Sequence, residues 1–263
     1  ADGQILTMEM VKNFYKGKKK IRPESQSFYD YYLEFVERKK NEGLNPETIR
    51  VYMTTYRVLK EFKENFLISD VNLKLIEEFD EYMKLVNNNA PGGRHPKHKN
   101  IRTVILDMKS HDIPVLNPYD KGFFKMPQSK AKEVFLDLTE LNLMRDLRST
   151  LPHNSTDYKV LQMYLFSCYC GLRFSDVIEL EWSHLDFKKK LIVKIMKKTK
   201  NKVFAPFFNK AKAIVLELSE NKTLIGTNKR VFYGYTEPTV NRTLKKLSKL
   251  AGIDKNISYH SSR

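Results

Sequence analysis

The sequence predicts a mainly α-helical protein with a small antiparallel β-sheet, divided into two domains. From Ser27 onward, apolar residues recur at the spacing of amphipathic helices. Over residues 191–206, this period gives way to the alternation that is typical of strands. Between the two helical regions, residues 114–132 contain three prolines and four lysines without helical periodicity. A stretch of this composition indicates a linker between domains.

Composition restricts the function more than the fold. The 263 residues are 41% hydrophobic and 30% charged, and no apolar run is long enough to span a membrane. They include 47 Lys and Arg residues against 31 Asp and Glu residues, which gives a net charge of +16. An excess of this size is typical of nucleic-acid-binding proteins, because cationic side chains displace counterions from phosphates. A basic protein without such a partner, or one that binds anionic membranes, is the competing interpretation.

The N-terminal residues and the cysteines indicate the compartment. The chain begins without the basic and apolar regions of a secretory signal, so we expect a cytoplasmic location. Cys168 and Cys170 are the only cysteines, and two residues apart on a helix they point in different directions. We expect buried thiols of a reducing compartment, with neither a disulfide nor a metal site.

The first domain is predicted over residues 25–113, after a basic segment over 1–24. Asn45 followed by Pro46 marks a helix start, since asparagine caps the free N–H groups and proline fits the first turn. Residues 87–98 are predicted as a loop, because two prolines and two glycines interrupt the helical pattern. Aromatic stripes are expected to form the core. The four predicted helices begin near Ser27, at Pro46, near Asn72 and at Lys99, and the last two end near Val86 and His111.

The second domain is predicted over residues 133–263. Its residues from Tyr158 to Cys170 are apolar on all faces, which predicts a buried helix. Ser175 is the expected N-cap of a second helix that ends near Trp182. The other predicted elements are a strand at 133–137, a helix at 139–151, strands at 191–195 and 203–206, helices at 209–218 and 237–251, and an extended segment at 231–235.

Three features of this domain have the chemistry to act on a phosphate. Gly171 can close the buried helix in a left-handed conformation, and the guanidinium of Arg173 matches two phosphate oxygens. An exposed arginine that caps helix carbonyls is the competing interpretation. Lysines between the two strands can donate a proton or contact a phosphate, or they can protect a sheet edge. On a helix, His260 and Arg263 would share a face.

The order of these motifs carries a resemblance to a known family. The matching residues are Cys170-Gly171-Leu172-Arg173-Phe174-Ser175-Asp176, Lys197-Lys198-Thr199-Lys200-Asn201 ahead of Ala205-Pro206-Phe207, and Tyr259-His260-Ser261-Ser262-Arg263. In this order and spacing they resemble the tyrosine recombinase family of phage and transposon integrases. By that resemblance, residues 25–113 are a four-helix core-binding domain and residues 133–263 are most of an α+β catalytic domain. The implied activity is site-specific recombination through a 3′-phosphotyrosyl intermediate, which needs no metal or cofactor.

The resemblance also implies a role for each site residue. Arg173 and Arg263 would hold the non-bridging oxygens of the scissile phosphate. Lys198 would protonate the departing 5′ oxygen, because it lies eight residues before a proline, as the family's lysine does. The neighbouring lysines at 197 and 200 stay open as alternatives. His260 would contact the phosphate or transfer a proton, and Asp176 would steady the site.

The implied partner is double-stranded DNA at an attachment site, without a membrane. A homotetramer on synapsed DNA, a possible host DNA-bending factor and a nucleoid-associated location in bacterial cytoplasm follow from the same resemblance. The residues expected to contact DNA are Arg50, Arg57, Arg102, Lys121, Lys200 and Arg242.

One departure concerns the nucleophile. In the family, the attacking tyrosine lies some tens of residues beyond the His-x-x-Arg motif, and this chain stops at Arg263. Tyr233, Tyr235 and Tyr259 precede the motif and do not correspond to it. We therefore expect a truncated integrase that binds duplex DNA without forming a covalent link. A non-catalytic, sequence-specific DNA-binding protein is the alternative function, and a basic helical protein for RNA or an anionic surface is a third.

Overall fold

A computed structural model of the chain describes residues 26–120, 123–129, 134–198, 200–218, 224–232 and 234–262. The chain divides into two units between Ala131 and Lys132. Each unit has its own hydrophobic core and is described by itself. None of the helices in these ranges combines the length and the apolarity that crossing a membrane requires. The domain and linker bounds given above stay predictions.

The described part of the first unit is built from four helices, three of which begin at a capping side chain. The side-chain oxygens of Ser27, Asn45 and Asn72 accept hydrogen bonds from N–H groups of the first turns. The predicted helix start at Asn45 and Pro46 is thereby confirmed. The helices are α1 (Phe28–Asn41), α2 (Pro46–Phe62), α3 (Leu73–Leu85) and α4 (Pro91–Ser110), with a 3-10 turn at Ile68–Asp70.

Aromatic side chains fill the core of the first unit, as predicted. The hydroxyl of Tyr29 donates to the carbonyl of Leu59 at 2.8 Å, and that of Tyr32 donates to the carbonyl of Tyr52 at 2.9 Å. These bonds join α1 to α2 and satisfy the buried polar groups of the rings. The aromatic residues of α1 that lie in this core are Phe28, Tyr29, Tyr31, Tyr32 and Phe35.

The start of α4 differs from the prediction. The predicted loop over 87–98 was wrong for its second half, because α4 begins at Pro91 rather than at residue 99. Proline suits a first helical position, but Pro96 lies inside the helix and removes a backbone hydrogen bond. Tertiary contacts offset this cost: Arg94 is buried and forms an ion pair with Asp80 of α3. Packing of the folded unit therefore overrides the prolines and glycines that predicted a loop.

Part of the stretch predicted as a linker packs on the first unit. The hydroxyl of Tyr119 lies 3.0 Å from Nδ1 of His98, and the ring of Phe124 lies 4.7 Å from the same imidazole. Tyr119 is buried as well. Residues 114–120 and 123–126 therefore extend the core of α3 and α4, since their large side chains have apolar surface to cover.

The second unit surrounds one buried helix. α6 (Thr156–Cys170) begins at the N-cap Ser155 and carries buried residues on every face, as the apolar run predicted. Other helices and a small sheet pack around it. These helices are α5 (Leu138–Leu147), α7 (Phe174–Val177), α8 (Asn209–Leu218) and α9 (Glu237–Leu250), with 3-10 turns at Arg148–Thr150, Trp182–His184 and Tyr259–Ser262.

The sheet has three antiparallel strands in the order β1-β2-β3. They are β1 (Leu185–Asp186), β2 (Leu191–Ile195) and β3 (Lys202–Pro206). Ile192 is the central register residue, opposite Leu185 on one side and Ala205 on the other. The two longer strands were predicted, and β1 was missed because two residues give no alternation. The strand predicted over 133–137 was wrong for 134–137, which form no strand. Val134 and Leu136 are half-buried and pack on the core, whereas Phe135 is exposed.

Candidate active site

A glycine closes the corner between α6 and α7. Gly171 follows the last residue of α6 and has φ +69°, in the left-handed region that side chains disfavour. Its N–H donates to the carbonyl of Ser167 at 2.8 Å, and the next side chain, Leu172, is buried in the core. The chain therefore leaves α6 in a fixed direction, and Arg173 follows with a partly exposed side chain.

The second helix of this corner is shorter than predicted. α7 is the single turn Phe174–Val177, and Arg173 rather than Ser175 stands at its N-cap. The prediction that this helix continues to Trp182 was wrong, because the chain beyond α7 pairs with another segment. The N–H of Trp182 donates to the carbonyl of Lys229 at 3.1 Å. This bond draws the indole, which is fully buried, into the core.

The guanidinium of Arg173 is not used by the fold. Within the described ranges it makes no hydrogen bond or ion pair. The competing interpretation, an arginine that caps the carbonyls of α6, requires such bonds and is excluded there. A partly buried guanidinium keeps its charge and presents several N–H donors. Arg173 is therefore available to an external anion.

His260 lies next to the same corner through a pair of aromatic rings. Tyr259 is buried, its hydroxyl donates to the carbonyl of Met163 at 3.0 Å, and its ring meets that of Phe174 at 5.1 Å. Arg173 directly precedes one ring and His260 directly follows the other, so this ring contact links the two segments that carry them. The His260 side chain is exposed on a 3-10 turn. Arg263 lies outside the described residues, so its predicted pairing with His260 stays a prediction.

Asp176 connects the corner to the β2–β3 hairpin. Its side chain is completely buried, and Oδ1 accepts a hydrogen bond from the N–H of Lys197 at 2.8 Å. Among the residues that the structure describes, Oδ2 has no hydrogen-bond partner. The ammonium of Lys197 forms an ion pair with Glu179 Oε1 at 2.5 Å, and this bond lowers the pKa of Glu179. The hairpin is thus anchored to the residues that follow Arg173.

The predicted hairpin lysines are of two kinds. Lys197 is engaged by Glu179, whereas Lys198 and Lys200 are exposed and make no side-chain contact among the described residues. The loop is closed by two backbone bonds, from Met196 N–H to the carbonyl of Asn201 at 2.9 Å and from Lys200 N–H to the carbonyl of Met196 at 3.0 Å. A closed loop with exposed ammonium groups at its tip can reach a ligand.

Lys194 is a charged residue at this site that our sequence reasoning did not single out. It lies in the middle of β2, is 6% exposed, and its Nζ donates to the carbonyl of Asp176 at 3.0 Å. The alternation of β2 gave a signal, because Lys194 shares the inward face with Ile192. A lysine on the buried face of a strand has to find buried acceptors.

The hydroxyls of two tyrosines at this site are occupied. Tyr164 shares a hydrogen bond with Ser261 at 3.2 Å, and the hydroxyl of Tyr259 contacts Ser167 in addition to Met163. Burial raises the pKa of both tyrosines. Neither hydroxyl is free to act as a nucleophile. Tyr233 lies outside the described residues.

The predicted DNA-contacting residues lie on the surfaces of both units. Arg50 and Arg57 are seven residues apart on α2 and share one exposed face, and Arg50 pairs with Glu47 at 3.2 Å. Arg102 of α4 and Arg242 of α9 are also exposed. The same helix α9 exposes three lysines, namely Lys245, Lys246 and Lys249. Lys121 lies outside the described residues.

Two comparisons of the sequence cover both units. Residues 27–126 match the phage integrase SAM-like domain, and residues 135–263 match the phage integrase family. The second match includes the corner, the hairpin and the His260 turn. The chain belongs to the phage integrase family. A search of curated proteins gave no match for this integrase.

Solved structures of other integrases share the fold. A lambda integrase dimer bound to a COC′ core site is 13% identical, with a TM-score of 0.72 over 90% of this chain and 84% of that chain. The Tn1549 transposon integrase in complex with circular intermediate DNA is 16% identical, with a TM-score of 0.72 over the same shares, 90% and 84%. A lambda integrase tetramer bound to a Holliday junction is 12% identical, with a TM-score of 0.72 over 97% and 79%. At these identities the likeness establishes the fold and confirms the predicted fold class.

Proposed function

We propose that this integrase is a site-specific DNA recombinase that cleaves and rejoins DNA through a 3′-phosphotyrosyl intermediate. The observation that carries the proposal is the unpaired guanidinium of Arg173 at the α6–α7 corner, next to a turn that exposes His260. A partly buried cation without a partner in the fold is suited to an oxyanion. Membership of the phage integrase family makes a DNA phosphate the expected anion.

In the proposed reaction, Arg173 and Arg263 hold the non-bridging oxygens of the scissile phosphate. Their charges offset the negative charge that builds on these oxygens as a hydroxyl adds to phosphorus. His260 contacts the same phosphate or moves a proton. The ring contact between Phe174 and Tyr259 supports this arrangement, because it joins the segment that carries Arg173 to the segment that carries His260. Arg263 enters the proposal from the sequence motif alone.

Lys198 is the proposed general acid for the departing 5′ oxygen. Lys197 is less suited, since Glu179 holds its ammonium. Lys198 and Lys200 both have free ammonium groups at the hairpin tip, and the spacing from Lys198 to Pro206 favours Lys198. Asp176 supports the reaction indirectly by accepting the Lys197 N–H. An unhindered ammonium next to the leaving group donates its proton as the P–O bond breaks.

The attacking tyrosine of the proposed reaction is neither Tyr164 nor Tyr259, whose hydroxyls are buried and hydrogen-bonded. In the motif order of the family, the attacking tyrosine comes after the His-x-x-Arg motif. We propose that the 263-residue chain binds duplex DNA without forming a covalent link. Detection of a protein–DNA adduct that survives denaturation would overturn this part of the proposal.

The proposed substrate is a double-stranded attachment site, gripped mainly through its phosphates. The proposed contact residues are Arg50, Arg57, Arg102, Lys121, Lys200 and Arg242. The neighbours that share the fold include a dimer on a core site and a tetramer on a Holliday junction. By that likeness we propose a homotetramer on synapsed DNA, assisted by a host DNA-bending factor. Such a protein works where the DNA is, at the nucleoid in the cytoplasm.

Hydrogen peroxide can test this site independently of the tyrosine. On a duplex selected from a random pool by its affinity for the chain, peroxide anion adds to phosphorus, the bond to the 5′ oxygen breaks, and Lys198 supplies the proton. Arg173→Ala should slow this nicking by at least about a hundredfold, because it removes transition-state charge stabilisation, while the Kd changes by less than about threefold. Arg173→Lys keeps the positive charge but lacks the planar guanidinium. Its nicking rate should lie between those of the parent chain and Arg173→Ala.

Parallel loss of binding and nicking in Arg173→Ala would show that Arg173 is a general phosphate contact. The alternative function is a non-catalytic, sequence-specific DNA-binding protein. Sequence-specific binding by the parent chain without any peroxide-dependent nicking would support that candidate.

A further inference from the structure

Lys194 is a buried lysine whose ammonium is bonded to backbone carbonyls. Its Nζ lies 3.0 Å from the carbonyl oxygen of Asp176 and 3.5 Å from that of Glu179. The carbonyl of Asp176 belongs to α7 and that of Glu179 follows this helix. The last carbonyls of a helical turn lack intrahelical partners. The side chain therefore crosses from β2 to the end of the corner helix. No DNA phosphate is needed to explain why this ammonium is buried.

The burial of Lys194 has a cost that these bonds offset. Transfer of an ammonium group from water into the interior is unfavourable unless acceptors and opposite charges replace the water. Burial lowers the pKa of Lys194, and the carboxylates of Asp176, Glu179 and Glu181 act against that shift. An apolar residue at this inward position would avoid the cost, so the lysine has a structural task beyond filling space.

Besides the longer bond from Lys194 to the carbonyl of Glu179, three bonds join the hairpin to the residues after Arg173, and we name these three the hairpin clamp. Lys194 Nζ donates to the carbonyl of Asp176, Lys197 N–H donates to the Asp176 carboxylate at 2.8 Å, and Lys197 Nζ pairs with Glu179. Asp176 therefore contacts the hairpin twice, with its backbone carbonyl at Lys194 and with its carboxylate at Lys197. The clamp ends one residue before Lys198, the proposed general acid.

We infer that Lys194 is a positioning residue, which holds the β2–β3 hairpin, and with it Lys198, at a fixed place relative to Arg173. The inference rests on the proposed function, because Lys198 has a proton to deliver only if the bound phosphate reacts. Lys194 itself touches neither DNA nor the leaving oxygen. Small errors in the placement of a catalytic group reduce rates strongly.

The test compares Lys194→Met with Lys189→Met, which removes an exposed lysine of the turn that precedes β2. Lys194→Met should slow peroxide-dependent nicking by at least about tenfold while the Kd for the duplex changes by less than about twofold. Lys189→Met should match the parent chain in both the nicking rate and the Kd.

The readout specific to positioning uses a duplex in which sulfur replaces the bridging 5′ oxygen. A thiolate leaves without a proton, so this duplex should restore Lys194→Met and the benchmark Lys198→Ala to near the parent rate.

The inference would be overturned if the sulfur duplex restored the nicking rate of Lys198→Ala but not that of Lys194→Met. Lys194 would then act on Arg173 or on the fold as a whole. If Lys194→Met does not fold, Lys194→Gln takes its place. Glutamine carries no buried charge and keeps an N–H donor, and the same partial loss with sulfur rescue is expected. An unchanged rate in the folded variant would also contradict the inference.

Amide exchange separates failure of this inference from failure of the proposed function. The Lys197 N–H is bonded to Asp176 Oδ1, so Lys194→Met should speed its hydrogen exchange by at least about tenfold. This readout does not depend on nicking. A parent chain that binds DNA but never nicks it would remove the proposed function, and unchanged Lys197 exchange in Lys194→Met would remove the role of Lys194 in the clamp.

Discussion

His98 is fully buried in the first unit between a carboxylate and a tyrosine hydroxyl. Its Nε2 lies 2.9 Å from Asp80 Oδ1, and its Nδ1 lies 3.0 Å from the hydroxyl of Tyr119. Because a carboxylate accepts only, Nε2 carries the proton and Nδ1 accepts from Tyr119. The neutral ring is therefore satisfied on both sides. Burial lowers the pKa of His98, and the opposing effect of Asp80 is smaller.

We expect the first unit to lose stability as the pH falls through the ordinary titration range of histidine. Since the pKa of His98 is lower in the folded chain, the unfolded chain binds more protons there, and the free energy of unfolding decreases at low pH. Amide exchange of α4, corrected for its intrinsic pH dependence, should show less protection at about pH 5.5 than at about pH 7.5. His98→Gln should reduce this pH dependence.

The control for this prediction is His111→Gln, which changes an exposed histidine of the same unit. It should keep the pH dependence of the parent chain. An NMR titration that places the pKa of His98 at or above its usual value would contradict the prediction.

Single residues of the site differ in how far the sequence reveals them. Arg173 could be located at a helix corner because a long apolar run and one glycine define that corner locally. Lys194 could not be assigned a role in the same way, since its acceptors are the carbonyls of residues 176 and 179, which lie 18 and 15 residues earlier in the chain. The choice between Lys197 and Lys198 likewise needed the ion pair with Glu179.

At the scale of elements, local signals predicted well where caps and periodicity act alone. α1, α2, α3, α6 and α8 were found within a few residues, whereas the start of α4 and the end of α7 were wrong. Long-range contacts decide both failures: the pairing of Arg94 with Asp80 extends α4 past its proline, and the pairing of Trp182 with Lys229 ends the helical path after α7. Neither contact has a signature within a short sequence window.

Gly171 offers a test of the corner as an element. A Cβ at this position would meet no atom within 4 Å, so Gly171→Ala is opposed only by its left-handed φ of +69°. We expect a loss of about 1 kcal/mol in the free energy of unfolding of the second unit. The alanine variant would relieve this strain by changing φ, which changes the direction in which the chain leaves α6. The rate of peroxide-dependent nicking should therefore also fall by at least about fivefold. Chemical denaturation and nicking assays measure the two effects.

Gly43→Ala is the matched control for the strain. Gly43 has φ +81° and equally open surroundings, but it lies between α1 and α2 in the first unit. It should cost a similar free energy of unfolding without a change in nicking. If both variants reduced nicking equally, strain in general rather than the direction of the corner would set the rate.

At the scale of the whole molecule, the sequence gives the net charge and the structure shows which charged side chains are exposed. The net charge of +16 was known from composition, and exposed arginines on α2, α4 and α9 show that both units carry part of it on their surfaces. Composition could not tell which cations are free. Arg38 and Arg94, for example, form ion pairs with Asp107 and Asp80 inside the first unit. Exposed cations without a carboxylate partner are available to phosphates without the loss of an ion pair.

Binding of duplex DNA by the whole chain should weaken steeply with salt. For a polyanion partner, the logarithm of the affinity falls linearly with the logarithm of salt concentration, by about 0.9 for each phosphate neutralised. Arg57 is exposed and has no ion-pair partner in the described ranges, so Arg57→Gln should reduce this slope by about one and weaken specific and non-specific duplexes alike. Fluorescence anisotropy between about 50 and about 200 mM salt measures the slope.

Lys74→Gln removes one positive charge from α3, outside the predicted contacts, where the side chain is 84% exposed. If Arg57 contacts a phosphate, the slope of Lys74→Gln should stay that of the parent chain. An equal change in the two variants would show that net charge sets the slope. A flat salt response of the parent chain would contradict the polyanion interpretation itself, because counterion release is a necessary consequence of neutralising phosphates.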